Sequence, residues 1–144
     1  MNVTLTQPET DQDFQQYYNL RWRILRKPWG QTEGSERDIT DVNCYHIMAV
    51  INGDVAGVAR LEFTDHGFSQ LRYMAVDDIY QGKGVGRSIL DHMEQYSKEN
   101  NAREIFLNAR ENALGFYEKS GYQITEKSYL LFDSIQHYKM FKIL

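Results

Sequence analysis

The sequence predicts an α/β fold of the α+β kind: one domain in which a mixed, mostly antiparallel sheet is flanked by helices. Three observations predict it. Two β-like runs, 44–51 and 55–63, are joined by Asn52-Gly53-Asp54. An Asn-Gly turn is the strongest short hairpin signal, because both central positions need positive φ. A third run, 68–76, leads through Gln81-Gly82-Lys83-Gly84-Val85-Gly86 into a stretch of helical period, and a fourth run follows at 105–108. A strand, crossover helix and strand of this length imply a right-handed parallel pair inside the otherwise antiparallel sheet. Finally, 144 residues suit a single domain, since a chain of about 150 residues buries roughly 68–70% of its unfolded surface and needs no staples.

The elements are justified in chain order. Asp11-Gln12-Asp13 is a helix start, and Tyr17, Leu20 and Ile24 follow on one face until Pro28 and Gly30 end the helix. The segment 29–36 is polar and punctuated by glycine, hence a loop. The turn Thr64-Asp65-His66-Gly67 leads into the third strand, where Leu71, Tyr73 and Ala75 are expected on one face and Arg72, Met74 and Val76 on the other. Val85, Ile89, Leu90, Met93 and Tyr96 form the apolar stripe of the second helix, which Asn100-Asn101 stops. Asn112 is expected to cap a short helix through Tyr117 to Ser120, Gly121 to end it in the left-handed conformation, and 122–125 and 137–143 to be the last strands.

Composition narrows the function classes. A net charge of −4 and a pI near 5.5 argue against nucleic acid as a partner. The basic run Arg21, Arg23, Arg26 and Lys27 reads as the solvated face of the first helix. The single cysteine, Cys44, forms no internal disulfide or multi-cysteine metal site, suits a reducing compartment, and reads as a buried, inert thiol. The first nine residues lack a basic and apolar leader pattern, and no stretch approaches membrane-spanning length, so a cytoplasmic protein without a membrane partner is expected. With no repeat and no linker composition, one domain spans 1–144.

The glycine loop carries the chemistry. Between a strand and an amphipathic helix, backbone amides point outward and the helix dipole favours an anion, while glycines allow phosphate oxygens to approach closely. Three alternating glycines beside Lys83 and Arg87 exceed what a bare turn needs. A nucleoside-triphosphate loop requires a different glycine-to-lysine spacing, and a dinucleotide loop requires glycine where Arg87 stands.

Gln81-Gly82-Lys83-Gly84-Val85-Gly86 resembles the (Arg/Gln)-x-x-Gly-x-(Gly/Ala) signature of the GCN5-related N-acetyltransferases, the GNAT family. Leu107-Asn108-Ala109-Arg110-Glu111-Asn112-Ala113, followed by Phe116-Tyr117-Glu118-Lys119-Ser120-Gly121-Tyr122, looks like the second half of that family's core. The flanks, Leu20-Arg21-Trp22-Arg23-Ile24-Leu25 and Ser134-Ile135-Gln136-His137-Tyr138-Lys139-Met140, look like its small bacterial ElaA-like branch. Asp78 stands where the family usually has proline.

The resemblance implies a GNAT-like domain with a central, splayed parallel strand pair, an acyl-CoA-dependent N-acyltransferase with acetyl-CoA as co-substrate and no metal. It places the diphosphate on Gln81, Gly82, Lys83, Gly84, Val85, Gly86, Arg87 and Ser88. The pantetheine arm is expected against the backbone of Met74 and Val76, with Asn108 and Asn112 along the cofactor's far side. An amide near Val76 would stabilise the oxyanion and Tyr117 would protonate the departing thiolate, a core aromatic being the competing reading of Tyr117. Glu62, Asp77, His46, His137 and the surroundings of Arg72 are candidates for the base, and a water chain is the alternative. Trp29, Glu33 and Glu36 either contact the acceptor or solvate their loop.

The expected acceptor is an amine of a small molecule or peptide, attacked directly in a ternary complex. The acidic pI favours cationic acceptors, and a second copy of the chain is one arrangement of the protein. The competing classes are a non-catalytic acyl-CoA-binding sensor, which would keep the glycine loop without turnover, and a generic phosphate-binding domain, which leaves Asn108, Asn112 and Tyr117 unexplained.

Overall fold

The computed structural model describes residues 2–144. Seven strands form one sheet in the order β1-β2-β3-β4-β5-β7-β6: β1 Thr4–Thr6, β2 Tyr45–Ile51, β3 Asp54–Phe63, β4 Phe68–Val76, β5 Glu104–Arg110, β6 Gln123–Leu131 and β7 Ile135–Ile143. Among the described residues only β4 and β5 pair in parallel. Helix α1, Asp11–Leu25, covers one face; α2, Val85–Glu99, and α3, Leu114–Lys119, cover the other.

Local chemistry explains these bounds. Thr10 and Asp13 form a reciprocal capping box at the start of α1, the Asp13 amide donating to Thr10 Oγ1 at 3.0 Å and the Thr10 amide to Asp13 Oδ2 at 3.2 Å. The β2–β3 hairpin turns through Asn52 at φ 50° and Gly53 at φ 82°, the left-handed pair its sequence predicts. Gly121, at φ 94°, follows α3 as expected. No helix among the described residues is long and apolar enough to cross a membrane.

Helix α2 buries Val85, Ile89, Leu90 and Met93, each worth about 1.5–3 kcal/mol of transfer free energy. Its close approach to the sheet depends on Gly57, where a Cβ would lie 2.7 Å from Ile89 Cδ1 and 2.9 Å from Val85 Cγ1. Tyr17 and Leu20 of α1 pack on Met48, Val58 and Ala75 across the opposite face.

Several expectations need correction. The short edge strand β1 is additional, β2 begins one residue after Cys44, and β6 runs on to Leu131. Asn112 caps no helix: it is exposed on a 3-10 turn, and Ala113, with no side-chain capping bond, precedes α3. Simple alternation also fails in β4. Val58 pairs with Ala75 and Arg60 with Arg72, so Tyr73 and Met74 together face the single residue Ala59. This bulge leaves Leu71, Met74 and Val76 on the α2 side and turns Tyr73 and Ala75 to the α1 side. Nor are all the arginines of α1 a solvated face, since Arg21 is fully buried.

Candidate active site

Pairing between β4 and β5 stops at Gln70 and Phe106, although both strands continue, to Val76 and Arg110. β5 stays paired to β7 along its whole length and β4 stays paired to β3, so the two strands diverge as two separately anchored halves of the sheet. A cleft of about 130 Å³ opens between them, with Met74 and Tyr73 on one wall, Asn108 and Arg110 on the other, and Tyr117 and His137 also lining it.

Tyr73 shapes one wall. Its φ of 53° is unusual for an aromatic residue, and such a conformation costs on the order of 1–3 kcal/mol, which its surroundings must offset. The ring is enclosed by the guanidinium groups of Arg21 at 4.3 Å, Arg60 at 4.9 Å and Arg72 at 4.9 Å, and its hydroxyl donates to Asp38 Oδ2 at 3.1 Å. Behind it lies a compensated buried network. Arg21 donates to Asp41 Oδ1 at 3.0 Å, while Arg60 Nη1 donates to Asp41 Oδ1 at 3.1 Å and to Asp38 Oδ1 at 2.6 Å. Burial alone would raise the Asp38 carboxyl, but hydrogen bonds from Arg60 and Thr40 outweigh it and hold the group well below the carboxylate range. Asp38 is therefore an anchor and not a base.

The glycine loop meets the cleft from the α2 side. Gly82 and Gly84 have φ values of 75° and 84°, with open space where a Cβ would project. Gly84 caps α2 without a side chain, and the first bond of the helix runs from the Ser88 amide to Gly84. The amides of Val85, Gly86 and Arg87 consequently have no intrahelical acceptor and sit at the positive end of the dipole. Gly86 abuts the cleft wall, since a Cβ there would lie 3.2 Å from Met74 Cε and 3.3 Å from Phe116 Cζ. Gln81 braces the loop, donating to the carbonyl of Val76 and to Asp78 Oδ1, both at 3.1 Å. Lys83 is exposed, and Arg87 forms an exposed pair with Asp91 at 3.1 Å.

The sequence-derived candidates separate accordingly. Met74, Asn108 and Tyr117 line the cleft, and the loop 81–88 stands beside it; Asn112 lies outside its lining. Buried Tyr117 has its hydroxyl pushed up to about 12 by desolvation, so it is protonated at neutral pH. Of the base candidates, His137 and the surroundings of Arg72 line the cleft, and His137 is the one among them that can accept a proton. Its Nδ1 lies 3.0 Å from the Ile135 carbonyl and its ring stacks on Tyr129 at 4.3 Å. Burial, reinforced by Arg110 and Arg26, pulls its pKa down and favours neutral imidazole. His46 is held in the interior between Tyr17 and the Asp41 carbonyl, both at 2.7 Å. Asp77 pairs with Arg23 at 3.1 Å, and Glu62 lies 3.6 Å from Arg60. Glu36 is buried and accepts from the Gly34 amide at 2.8 Å, holding its own loop.

Sequence reasoning missed Tyr73, Tyr129 and the cleft-lining arginines Arg26 and Arg110, whereas the surroundings of Arg72, which it named, do line the cleft. Arg110 directly follows the segment Leu107-Asn108-Ala109, so its place at the end of β5 was the available signal. The turn of Tyr73 comes from a bulge that has no residue signature.

A strand pair that parts in front of unbonded helix-terminal amides can admit an extended ligand ending in an anion. The sequence model described as the acetyltransferase (GNAT) family matches residues 14–122. A provisionally named acetyltransferase of Bacillus subtilis (strain 168) is 29% identical over 136 residues, which are 92% of this chain and 91% of that protein. Among solved structures, a provisionally named N-acetyltransferase from Lactobacillus plantarum superposes with a TM-score of 0.87 at 21% identity, covering 100% of this chain and 99% of that one. An aminoglycoside 6'-N-acetyltransferase complexed with coenzyme A superposes with a TM-score of 0.81 at 15% identity over 99% and 97% of the two chains. At these identities the structural likeness is one of fold.

Proposed function

The chain belongs to the acetyltransferase (GNAT) family and is an N-acetyltransferase of that type, and from this premise we propose that it transfers acetyl from acetyl-CoA to an amine of a small molecule or peptide by direct attack in a ternary complex. The observation that carries the reading is the parting of β4 and β5 beyond Gln70 and Phe106 next to the unbonded amides of Val85, Gly86 and Arg87. The diphosphate is bound by the loop 81–88, mainly through backbone amides, because Lys83 is exposed and Arg87 is shared with Asp91. The pantetheine arm enters between the strands, where β4 past Gln70 has no partner on its β5 side, along Met74 and Asn108, which line the cleft, and on to the backbone of Val76 at the end of β4, outside the lining. Asn112 reaches it only from outside the cleft.

In the reaction the amine nitrogen attacks the thioester carbonyl carbon and the carbonyl oxygen becomes an oxyanion, which a β4 amide near Val76 stabilises; such a donor contributes about 3–4 kcal/mol. Collapse breaks the carbon–sulfur bond. The proton lost from nitrogen passes to His137, neutral in its buried setting, or to water, and Tyr117 gives its hydroxyl proton to the thiolate, to be reprotonated from solvent. The products are the N-acetyl amine and CoA. Incubating the protein with acetyl-CoA and a panel of amines while following free thiol tests this. Amine-dependent thiol release supports the reading, and its absence across the panel overturns it.

A further inference from the structure

Two guanidinium groups in the cleft converge on one oxygen. Arg26 Nη1 donates to the carbonyl of Leu25 at 3.0 Å, and Arg110 Nη2 donates to the same carbonyl at 3.1 Å. Arg26 directly follows α1 and Arg110 ends β5, so the fold brings two like charges to the Leu25 carbonyl from distant parts of the chain, Arg110 lying 85 residues beyond Leu25. Neither forms an ion pair among the described residues, and a third arginine of the same cleft, Arg72, reaches Asp38 only at 3.6 Å. No carboxylate is among the described residues that line the cleft.

The contrast with Arg21 and Arg60 is informative. Those buried arginines are answered by Asp41 and Asp38. Arg26 and Arg110 have instead the negative end of the α1 dipole, equivalent to about half a charge, and aromatic faces: Trp29 lies 4.5 Å from the Arg110 guanidinium and Phe132 5.5 Å from that of Arg26. The chain as a whole has a net charge of −4, so this positive cluster does not follow from composition. It reverses the preference for cationic acceptors that the pI suggests.

Building on the acetyltransfer reading above, we propose that the acceptor is a small amine that also carries a carboxylate, of the size of a free amino acid, with Arg26 and Arg110 gripping that carboxylate. Planar guanidinium groups suit it because each can offer two parallel N–H donors to its oxygens. Held there, the carboxylate would direct the amine of the same molecule along the cleft toward Tyr117 and His137, which line it too.

The test measures binding, so that it stands apart from turnover. Each common α-amino acid and its α-carboxamide is titrated calorimetrically into the protein saturated with CoA. At least one amino acid is expected to bind about tenfold or more tightly than its carboxamide. Arg110→Gln is expected to abolish that ratio and Arg110→Lys to restore part of it, with CoA affinity and the melting temperature of both variants near the parent values. Equal binding of acid and amide throughout the panel overturns the proposal, as does an Arg110→Gln variant that loses CoA affinity instead. Tight, carboxylate-dependent binding without any acetyl transfer would count against the acetyltransfer reading and leave the anion site standing. With acetyl-CoA, preference for the acid form is all the more diagnostic, because the amine of a carboxamide is less basic and more of it is neutral.

Discussion

The hydroxyl of Tyr117 lies 3.7 Å from the sulfur of Met74, linking α3 to β4 across the cleft between the parted strands. A thioether is a weak acceptor, so this contact leaves the hydroxyl available to a stronger one. Tyr117→Phe keeps the ring packed against Phe116 and Tyr122 and removes only the proton donor. Turnover under saturating acetyl-CoA is expected to fall by roughly 10²-fold, the low end for general acid catalysis, because a thiolate leaves tolerably well unprotonated. Steady-state rates measured across pH check this, and a Phe variant within about twofold of the parent removes Tyr117 from the mechanism.

CoA should raise the melting temperature, since a ligand at about 100 times its Kd stabilises the native state by about 2.7 kcal/mol, or roughly 5–10 °C in a chain of this size. ATP and NAD at the same concentration should not. Gly84→Glu places a carboxylate in front of the free amides and a side chain on a residue with φ of 84°, and it should abolish the shift. Differential scanning fluorimetry with and without CoA decides, and a folded Gly84→Glu variant that still responds would move the diphosphate away from this loop.

Asp41 receives Arg21 and Arg60 on one carboxylate oxygen, with both guanidinium groups fully buried. Asp41→Ala leaves two buried cations short of an anion, a loss of about 3–5 kcal/mol. Urea denaturation should show this as a lower midpoint at unchanged slope. A loss under about 1 kcal/mol would mean that Asp38 alone compensates both arginines.

How much of this was legible in the sequence differs between elements. Asn52-Gly53, the stripe from Val85 to Met93 and Gly121 placed their turns and helices because each is a local signal: positive φ, helical period, left-handed termination. The glycine loop was legible for the same reason. The cleft wall was not, because the phase change at Tyr73 comes from how β3 and β4 pair, and Tyr73 is β-favouring by any local measure. The arginines show the limit most clearly. Arg21 and Arg23 lie in α1 and Arg26 directly follows it, all of one residue type, yet the first is buried against Asp41, the second pairs with Asp77, and the third lines the cleft. Only tertiary partners distinguish them.

Stability should decline in two stages on acidification. His46, His92 and His137 all have native pKa values below the ordinary 6.5, burial being the largest cause in each. The unfolded chain then binds protons that the native state refuses, so their contribution is complete above pH 6.5 and is lost as pH falls through that value toward the lower native ones. The second stage has the carboxylates as its source. Asp38 and Asp41 are raised by burial but lowered further by their hydrogen bonds and arginines, for a net shift below 3.8. Their contribution is present above 3.8 and disappears as pH falls through their native values. Urea midpoints measured from about pH 8 to about pH 3 at constant ionic strength should therefore be level above about pH 7, slope downward below it, and steepen below about pH 4. His92→Gln should flatten the first stage, because His92 is half-buried and makes one side-chain hydrogen bond, to Tyr45 at 2.8 Å. A parent profile that is level from pH 8 to pH 5 would show that the imidazoles titrate alike in both states, and would remove the ground for treating His137 as neutral in the cleft.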